Sequence, residues 1–397
     1  MSCATTTYQL RLGRFLYKLG MLAIAPMLLF AACSSGDDGA APPPSSNNPP
    51  AGGANQFAYV VNYFGDNVQA FTSDGNGNLT AVGNPITTGT NPHNVNVDRA
   101  GRFVYISNHG SGFVSGYTIN SATGSLTPIN PAPGSPVTDA TDPTNNSPHW
   151  SVFDTTGSFL YVIAGIGTPS TLKSYSVNGT TGVLTQIGTT GPLVQCIHGH
   201  NVTVSPNNSF VYVACEDSAM VYSFQRDANG VAINGVATPV PGPAGAPATA
   251  PSAVVDPTSS FLFVGATNSV TVFSINPNNG TITPIQPQSN FQAGNTPHSV
   301  TLSNGHLYTA NINASTVSAF SINAGVLTQL AGSPFPTGGT PNQVVVHPDG
   351  LVLFTADQTG NSVTRFTVNG DGTLAPNGNA ATFPAGSGTN GMGLTNK

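Results

Sequence analysis

The sequence predicts an all-β fold: a seven-bladed β-propeller of four-stranded antiparallel blades, with the C-terminal strand closing the first blade. Three observations point there. One sentence of sequence recurs along the chain, as "NPHNVNVDRAGRFVYISN" from Asn91, "SPHWSVFDTTGSFLYVIA" from Ser147 and "TPHSVTLSNGHLYTAN" from Thr296. The composition, with 46 Gly and 33 Pro among 397 residues, suits many turns between short strands and counts against long helices. Finally, the first repeat lacks its opening strand, while the chain ends on a spare one, "NGMGLTNK".

The N-terminal segment stands apart from the repeats. Arg11, Arg14 and Lys18 precede the apolar run "LGMLAIAPMLLFAAC", the order of an export signal. Small Ala31 and Ala32 before Cys33 resemble a bacterial lipoprotein signal, so residues 1–32 are expected to be removed and Cys33 lipidated. A plain secretory signal or an uncleaved anchor is the alternative. Stable anchoring needs more than one acyl chain. Residues 33–56, rich in Pro, Gly, Ser and Asn, have nothing to bury and are expected to form a disordered tether. The domain then spans 57–397. The protein is expected in the cell envelope, on the outer membrane or the periplasmic face, held to the membrane by its lipid.

Charge narrows the partners. Charged residues make up 6% of the chain, against about 25% in ordinary soluble domains. Loss of the three N-terminal cations would take the formal charge from −6 to −9. A basic face is absent, so no nucleic acid is expected. Outside the export region only Cys196 and Cys215 remain. In an oxidising compartment they pair plausibly as a disulfide, with two separate buried thiols as the alternative.

Each repeat supplies the same parts. Its second strand begins at Phe57, Phe103, Phe159, Phe210, Phe261, His306 and Leu351, within the period of propeller blades. An alternating strand after "PH" or its equivalent comes first, as in "HNVNVD", followed by a tight turn such as "RAG". An apolar strand ("FVYIS", "FLYVI"), a third strand ("VSGYTI", "VTVFSI"), an Asn/Gly turn and a short fourth strand ("LTPI") complete it. β-Branched and aromatic residues fill the strands while Gly, Asn, Asp and Pro fill the turns. One such sheet cannot bury both faces, and seven stacked radially can. Closure is expected through residues 391–395. The Pro-rich inserts at 131–148 and 236–251 read as lids or surface loops.

In a propeller the first strand is innermost, and its start shares one face of the disc with the end of the second strand. This register gathers His93, His149, His198, His200, His298 and Asn342 with Asn62, Asn108, His109, Glu216, Asp217, Asn311 and Asp357 around one channel mouth. Polar groups at a concave mouth make a default site. Each has a plain structural alternative: a histidine bonding a loop carbonyl, or an Asn or Asp forming a turn. Trp150, the single tryptophan, either packs between blades or lines a pocket. Glu216 is the single glutamate, beside "HGH". A carboxylate among neutral imidazoles suits general base catalysis, worth roughly 10²–10⁴-fold in rate. A Cys196–Cys215 bridge would brace that corner.

The repeats "NSVTVFSINPNNGTITPI" and "PHSVTLSNGHLYTAN" resemble the lactonase family of seven-bladed propellers, over residues 57–397. In that family a histidine opening a first strand, a glutamate after a second strand, and arginines form the site. "PHWSVFD" matches the histidine motif at His149, and "VACED" matches the glutamate motif at Glu216. The family arginines are missing, since Gly199–His200 and the stretch "GATN" at 265–268 replace them. A phosphorylated or dicarboxylate lactone needs fixed guanidinium charge, so the resemblance implies a neutral or weakly charged lactone.

Two functions follow as expectations. One is a lactone hydrolase with Glu216 as base and His149 and His200 orienting or polarising the ester. His93, His198, His298, Asp217, Asp357 and Trp150 would shape the binding site. The other is a non-catalytic envelope propeller binding a glycan, peptide or protein partner. A third reading is metal binding by the histidine ring, where His198-Gly-His200 offers two imidazoles of the kind that suit zinc or copper; the spacing has no recognised closed-site signature, so no metal or cofactor is expected. A monomer is expected.

Overall fold

The computed structural model describes residues 56–130, 147–167, 169–242, 249–285, 291–376, 383–384 and 386–395. The signal segment, Cys33, nearly all of the tether, residues 131–146 of the first Pro-rich insert and 243–248 of the second lie outside the described residues. Val236 and its neighbours up to Pro239 belong to the last strand of blade 4, so that insert begins later than the sequence predicts.

Seven antiparallel sheets of four strands each form the blades, and three of them carry an extra two-residue edge strand. Blade 1 runs from Gln56 to Thr87, and its innermost strand is Thr389–Leu394 from the far end of the chain. Ala58 to Asn62 pair with Leu394 to Thr389, which closes the ring. The inner strands of blades 2 to 7 are Pro92–Val97, Pro148–Phe153, Gly199–Val204, Ser252–Val255, Pro297–Ser303 and Pro341–Val346. The apolar second strands, such as Phe210–Cys215, are buried along their whole length, as a strand sandwiched between neighbouring blades must be.

The blades are stapled by one repeated contact. In five of the seven second strands a tyrosine donates its hydroxyl to a glycine carbonyl in the third turn of the next blade; blades 5 and 7 carry Phe263 and Phe354 at that position. Tyr59 reaches Gly124 at 3.0 Å, Tyr105 Gly182 at 2.6 Å, Tyr161 Gly230 at 2.7 Å, Tyr212 Gly280 at 3.0 Å and Tyr308 Gly372 at 2.9 Å. Gly280 shows why the turn needs glycine. Its φ is +75°, and a Cβ there would stand 2.3 Å from the Phe210 ring. A second belt ties the inner strands together: Asn94, Asn201, Ser252, Ser299 and Gln343 each accept an amide N–H from the next blade. Polar residues therefore recur in this strand because seven polar backbones converge on a narrow axis and must be satisfied.

Candidate active site

The mouth is built on backbone irregularities. Pairing between first and second strands skips one residue in six blades, and the skipped residues are His93, His149, His200, His298, Asn342 and Asn390. Each is the extra residue of a β-bulge, a device that re-aims a side chain. In blade 5 the equivalent residue is Pro251, which precedes the strand. The result is a ring of four imidazoles, two carboxamides and a proline around the axis.

Hydrogen bonds run around this ring from blade to blade. His149 Nδ1 donates to the His200 carbonyl at 3.3 Å, His200 Nδ1 to Pro251 at 2.6 Å, and His298 Nδ1 to Asn342 at 3.0 Å. Asn390 donates to the His93 carbonyl at 2.9 Å, and Asn342 to the Asn390 side chain. The His93 ring approaches the His149 main chain in the same sense, but its Nδ1 stops short of hydrogen-bond geometry. A carbonyl oxygen only accepts, so each bonded Nδ1 carries the hydrogen. The Nε2 atoms of His149 and His200 are thereby left as lone-pair acceptors.

A second set of side chains follows the second strands. The amides of His109, Glu216 and Gln358 bond carbonyls just upstream of the ring, those of Asn91, His198 and Thr340. Glu216 Oε2 lies 3.4 Å from His198 Nδ1 and 3.8 Å from His200 Nε2, and Asp217 reaches His198 Nδ1 from the rim at 3.4 Å. The histidines and carboxamides of the ring line a cavity of about 340 Å³ with His109, His198, Glu216, Gln358, Tyr63 and Ile166, and Asp217 and Pro251 stay outside it. Six of the chain's eight histidines line it, an enrichment that strand propensity does not require. The Cys196–Cys215 disulfide is buried beside it and ties the approach to His198 to the strand that ends before Glu216.

Burial sets the charge state of the ring. It holds His93, His149 and His200 well below the ordinary histidine range, and the charge each would place on its neighbours pushes the same way. These rings are neutral at pH 7. His109 is shifted in the same direction, again mainly by burial.

The structure therefore brings Glu216, His149, His200, His93, His198 and His298 to one cavity. Five residues expected there are placed elsewhere, and a sixth, Asp217, stays outside the cavity lining. Asp357 is buried inside blade 7, where its carboxylate accepts from Thr355 and Thr364; the following residue, Gln358, faces the cavity instead. Asn62, Asn108 and Asn311 are likewise turned into their own blades. The cause is alternation, since the last strand residue and the next one point to opposite sides. Trp150 packs on the core of blades 3 and 4 rather than lining the cavity. Tyr63, Ile166, Gln358 and Asn390 are lining residues that the sequence reading missed. The first three are found by stepping one or two residues past each second strand.

The four arginines of the described residues are tied up outside the cavity. Arg102 pairs with Asp98, Arg226 with Asp154, and Arg365 with Asn76 and Asn78, while Arg99 reaches the Thr155 carbonyl. Among the described residues neither arginine nor lysine lines the mouth.

Comparison with known proteins agrees with this architecture. The model of a family described as "Lactonase, 7-bladed beta-propeller" matches residues 52–142, 198–329 and 285–391. Among solved structures, a Bacteroides uniformis protein named as a candidate 6-phosphogluconolactonase superposes with a TM-score of 0.70 at 17% identity, over 86% of this chain and 100% of the other. The periplasmic gluconolactonase PpgL of Pseudomonas aeruginosa gives 0.64 at 16% identity, over 86% and 99%. At such identities the likeness is one of fold. A search of curated proteins finds no match.

Proposed function

We propose, for a chain that belongs to the lactonase family of seven-bladed β-propellers, that the channel mouth hydrolyses a lactone lacking phosphate or other strong negative charge. The observation that carries this reading is the single glutamate set among lone-pair imidazoles in a cavity without arginine or lysine. Glu216 takes one proton of the attacking water as general base, the Nε2 of His200, 3.8 Å from Glu216 Oε2, accepts the hydrogen bond of the water's other O–H, and the Nε2 of His149 accepts from a hydroxyl of the bound lactone. This changes the role expected from sequence: an imidazole whose Nδ1–H is committed to a carbonyl cannot donate to the ester oxygen through Nε2. The Gln358 amide, which also donates to Asn390 Oδ1 at 3.3 Å, and the Tyr63 hydroxyl are neutral side-chain donors lining the cavity.

The test is turnover of a panel of neutral sugar lactones, aliphatic lactones and a phosphorylated sugar lactone. Hydrolysis of neutral members, lowered by roughly 10²–10⁴-fold in Glu216→Gln, supports the reading. Preference for the phosphorylated member, or full activity in Glu216→Gln, removes it.

A second reading, a non-catalytic propeller that binds an envelope partner, is favoured by the exposed apolar side chains Phe64 and Ile166 near the mouth, 65% and 40% accessible. It predicts no turnover of any lactone and a retained partner in envelope extracts. We also propose export with acylation at Cys33. The Cys196–Cys215 bond supports it, since such bonds persist in oxidising compartments. Acyl labelling that survives in Cys33→Ser would remove that proposal.

A further inference from the structure

We infer that the histidine ring is a binding site for one divalent transition-metal ion of the zinc class, with His93, His149 and His200 as ligands and Glu216 beside the ion's open position. The inference competes with the metal-free hydrolase reading for the Nε2 lone pairs of His149 and His200, whose Nδ1 atoms are committed to carbonyls, and the experiment separates the two.

Three observations carry it. One donor atom each from His93, His149 and His200 lies within 4.8 Å of the other two, and His198, His200 and Glu216 form a second such triad through the shared His200. An equilateral triangle at that upper limit has its centre about 2.8 Å from each corner. Each ring then closes by less than about 1 Å to reach a zinc–nitrogen distance of about 2.0–2.1 Å. Three imidazoles with one position left open, or two imidazoles and a carboxylate, are the ligand sets of open zinc centres. Oxygen-seeking calcium and magnesium are disfavoured by the same donors.

The second observation is the outer support. Metal-ligating histidines almost always donate their other ring N–H to a carbonyl or carboxylate, which fixes the tautomer. His149 and His200 do so through Nδ1 to the main chain of the next blade. The third is a lack of donors. Ring centroids of His93 and His149 lie 3.7 Å apart, and those of His149 and His200 4.2 Å apart. One ring nitrogen of each of His93, His149 and His200 lies within 4.8 Å of the others, and buried His198 Nε2 and His93 Nδ1 find no hydrogen-bond partner. A cavity lined by acceptors that do not satisfy each other is matched to a cation. His200 can serve only one ion, so the two triads are alternatives. The first is chosen because two of its members already have their outer hydrogen bond.

The experiment uses the untagged chain, dialysed against zinc and then against metal-free buffer, with metal measured by mass spectrometry and Co²⁺ substituted to read coordination in the visible spectrum. The expected result is one zinc per chain and tetrahedral or five-coordinate cobalt bands. His93→Gln and His149→Gln should each weaken zinc binding by more than the roughly 10–100-fold that loss of an outer partner costs. His347→Gln, whose residue lies away from the mouth, should leave it unchanged. Circular dichroism and the melting temperature of each variant separate lost folding from lost binding. Zinc retained equally in folded His93→Gln and His149→Gln, or no zinc in the parent chain, overturns the inference. Zinc binding without lactone turnover leaves it standing and removes the hydrolase reading; lactone turnover by a parent chain that takes up no zinc does the reverse.

Discussion

Asp357 shows how much a single residue's meaning depends on which way it faces. From the sequence it is an acid at a strand end near the mouth. In the structure it is a buried carboxyl raised from its ordinary 3.8 to about 7 by burial, with the hydroxyls of Thr364 and Thr355 pulling the other way. A raised folded-state pKa means that its contribution to stability is full below pH 3.8 and is lost as pH rises through about 7. Asp357→Asn, neutral throughout, should therefore gain melting temperature relative to the parent chain more at pH 8 than at pH 5. A difference that is flat with pH contradicts this. Glu216 was legible because it is unique in composition, and His149 because its motif is intact. The side of the strand that Asp357 and Gln358 face was not. Motif and composition carry no phase, and the first residue beyond the strand reverses direction. The hydrogen bonds that turn His149 and His200 into acceptors were also hidden, since their partners are main-chain carbonyls 51 residues away.

Strands and turns were the most legible level. Alternation of apolar and polar residues, Asn/Gly turns and a steady period placed every second strand to within a residue of where it lies. The bulge at each ring residue was invisible, because an extra residue at a strand start looks like ordinary irregularity at its edge. The tyrosine–glycine staple was present in the repeats but needs the neighbouring blade to be read as a contact. It carries two predictions. Tyr212→Phe leaves the buried Gly280 carbonyl unpaired and should cost about 1–3 kcal/mol in denaturant unfolding. Gly280→Ala adds a left-handed backbone cost to a clash with Phe210, and about 2–4 kcal/mol is expected. If both variants unfold like the parent, the staple contributes little to joining the blades.

At the scale of the whole molecule, closure decides everything at the mouth. Thr389–Leu394 completes blade 1, and Asn390 bonds the His93 carbonyl, so the last strand completes both the sheet and the ring. Removing residues 389–397 exposes the edge of Gln56–Asn62 and should lower the melting temperature by at least about 10 °C. An unchanged transition would mean that the ring does not depend on its closing strand. The count of first and second strands made this closure readable before any coordinates. The absence of cations from the mouth was partly readable, through the missing family arginines, but their engagement with Asp98, Asp154, Asn76 and Asn78 was not.

On the proposed hydrolase reading, blades 3 and 4 put His149 and Glu216, 67 residues apart in sequence, to work on one bound lactone. A double-mutant cycle in kcat/KM tests it directly, using His149→Gln, Glu216→Gln and the pair on the best neutral lactone of the panel. Residues acting as one unit give a pair scarcely worse than the more damaging single change. Losses that simply multiply, as for independent sites, or a parent chain that turns over no lactone, would contradict the claim.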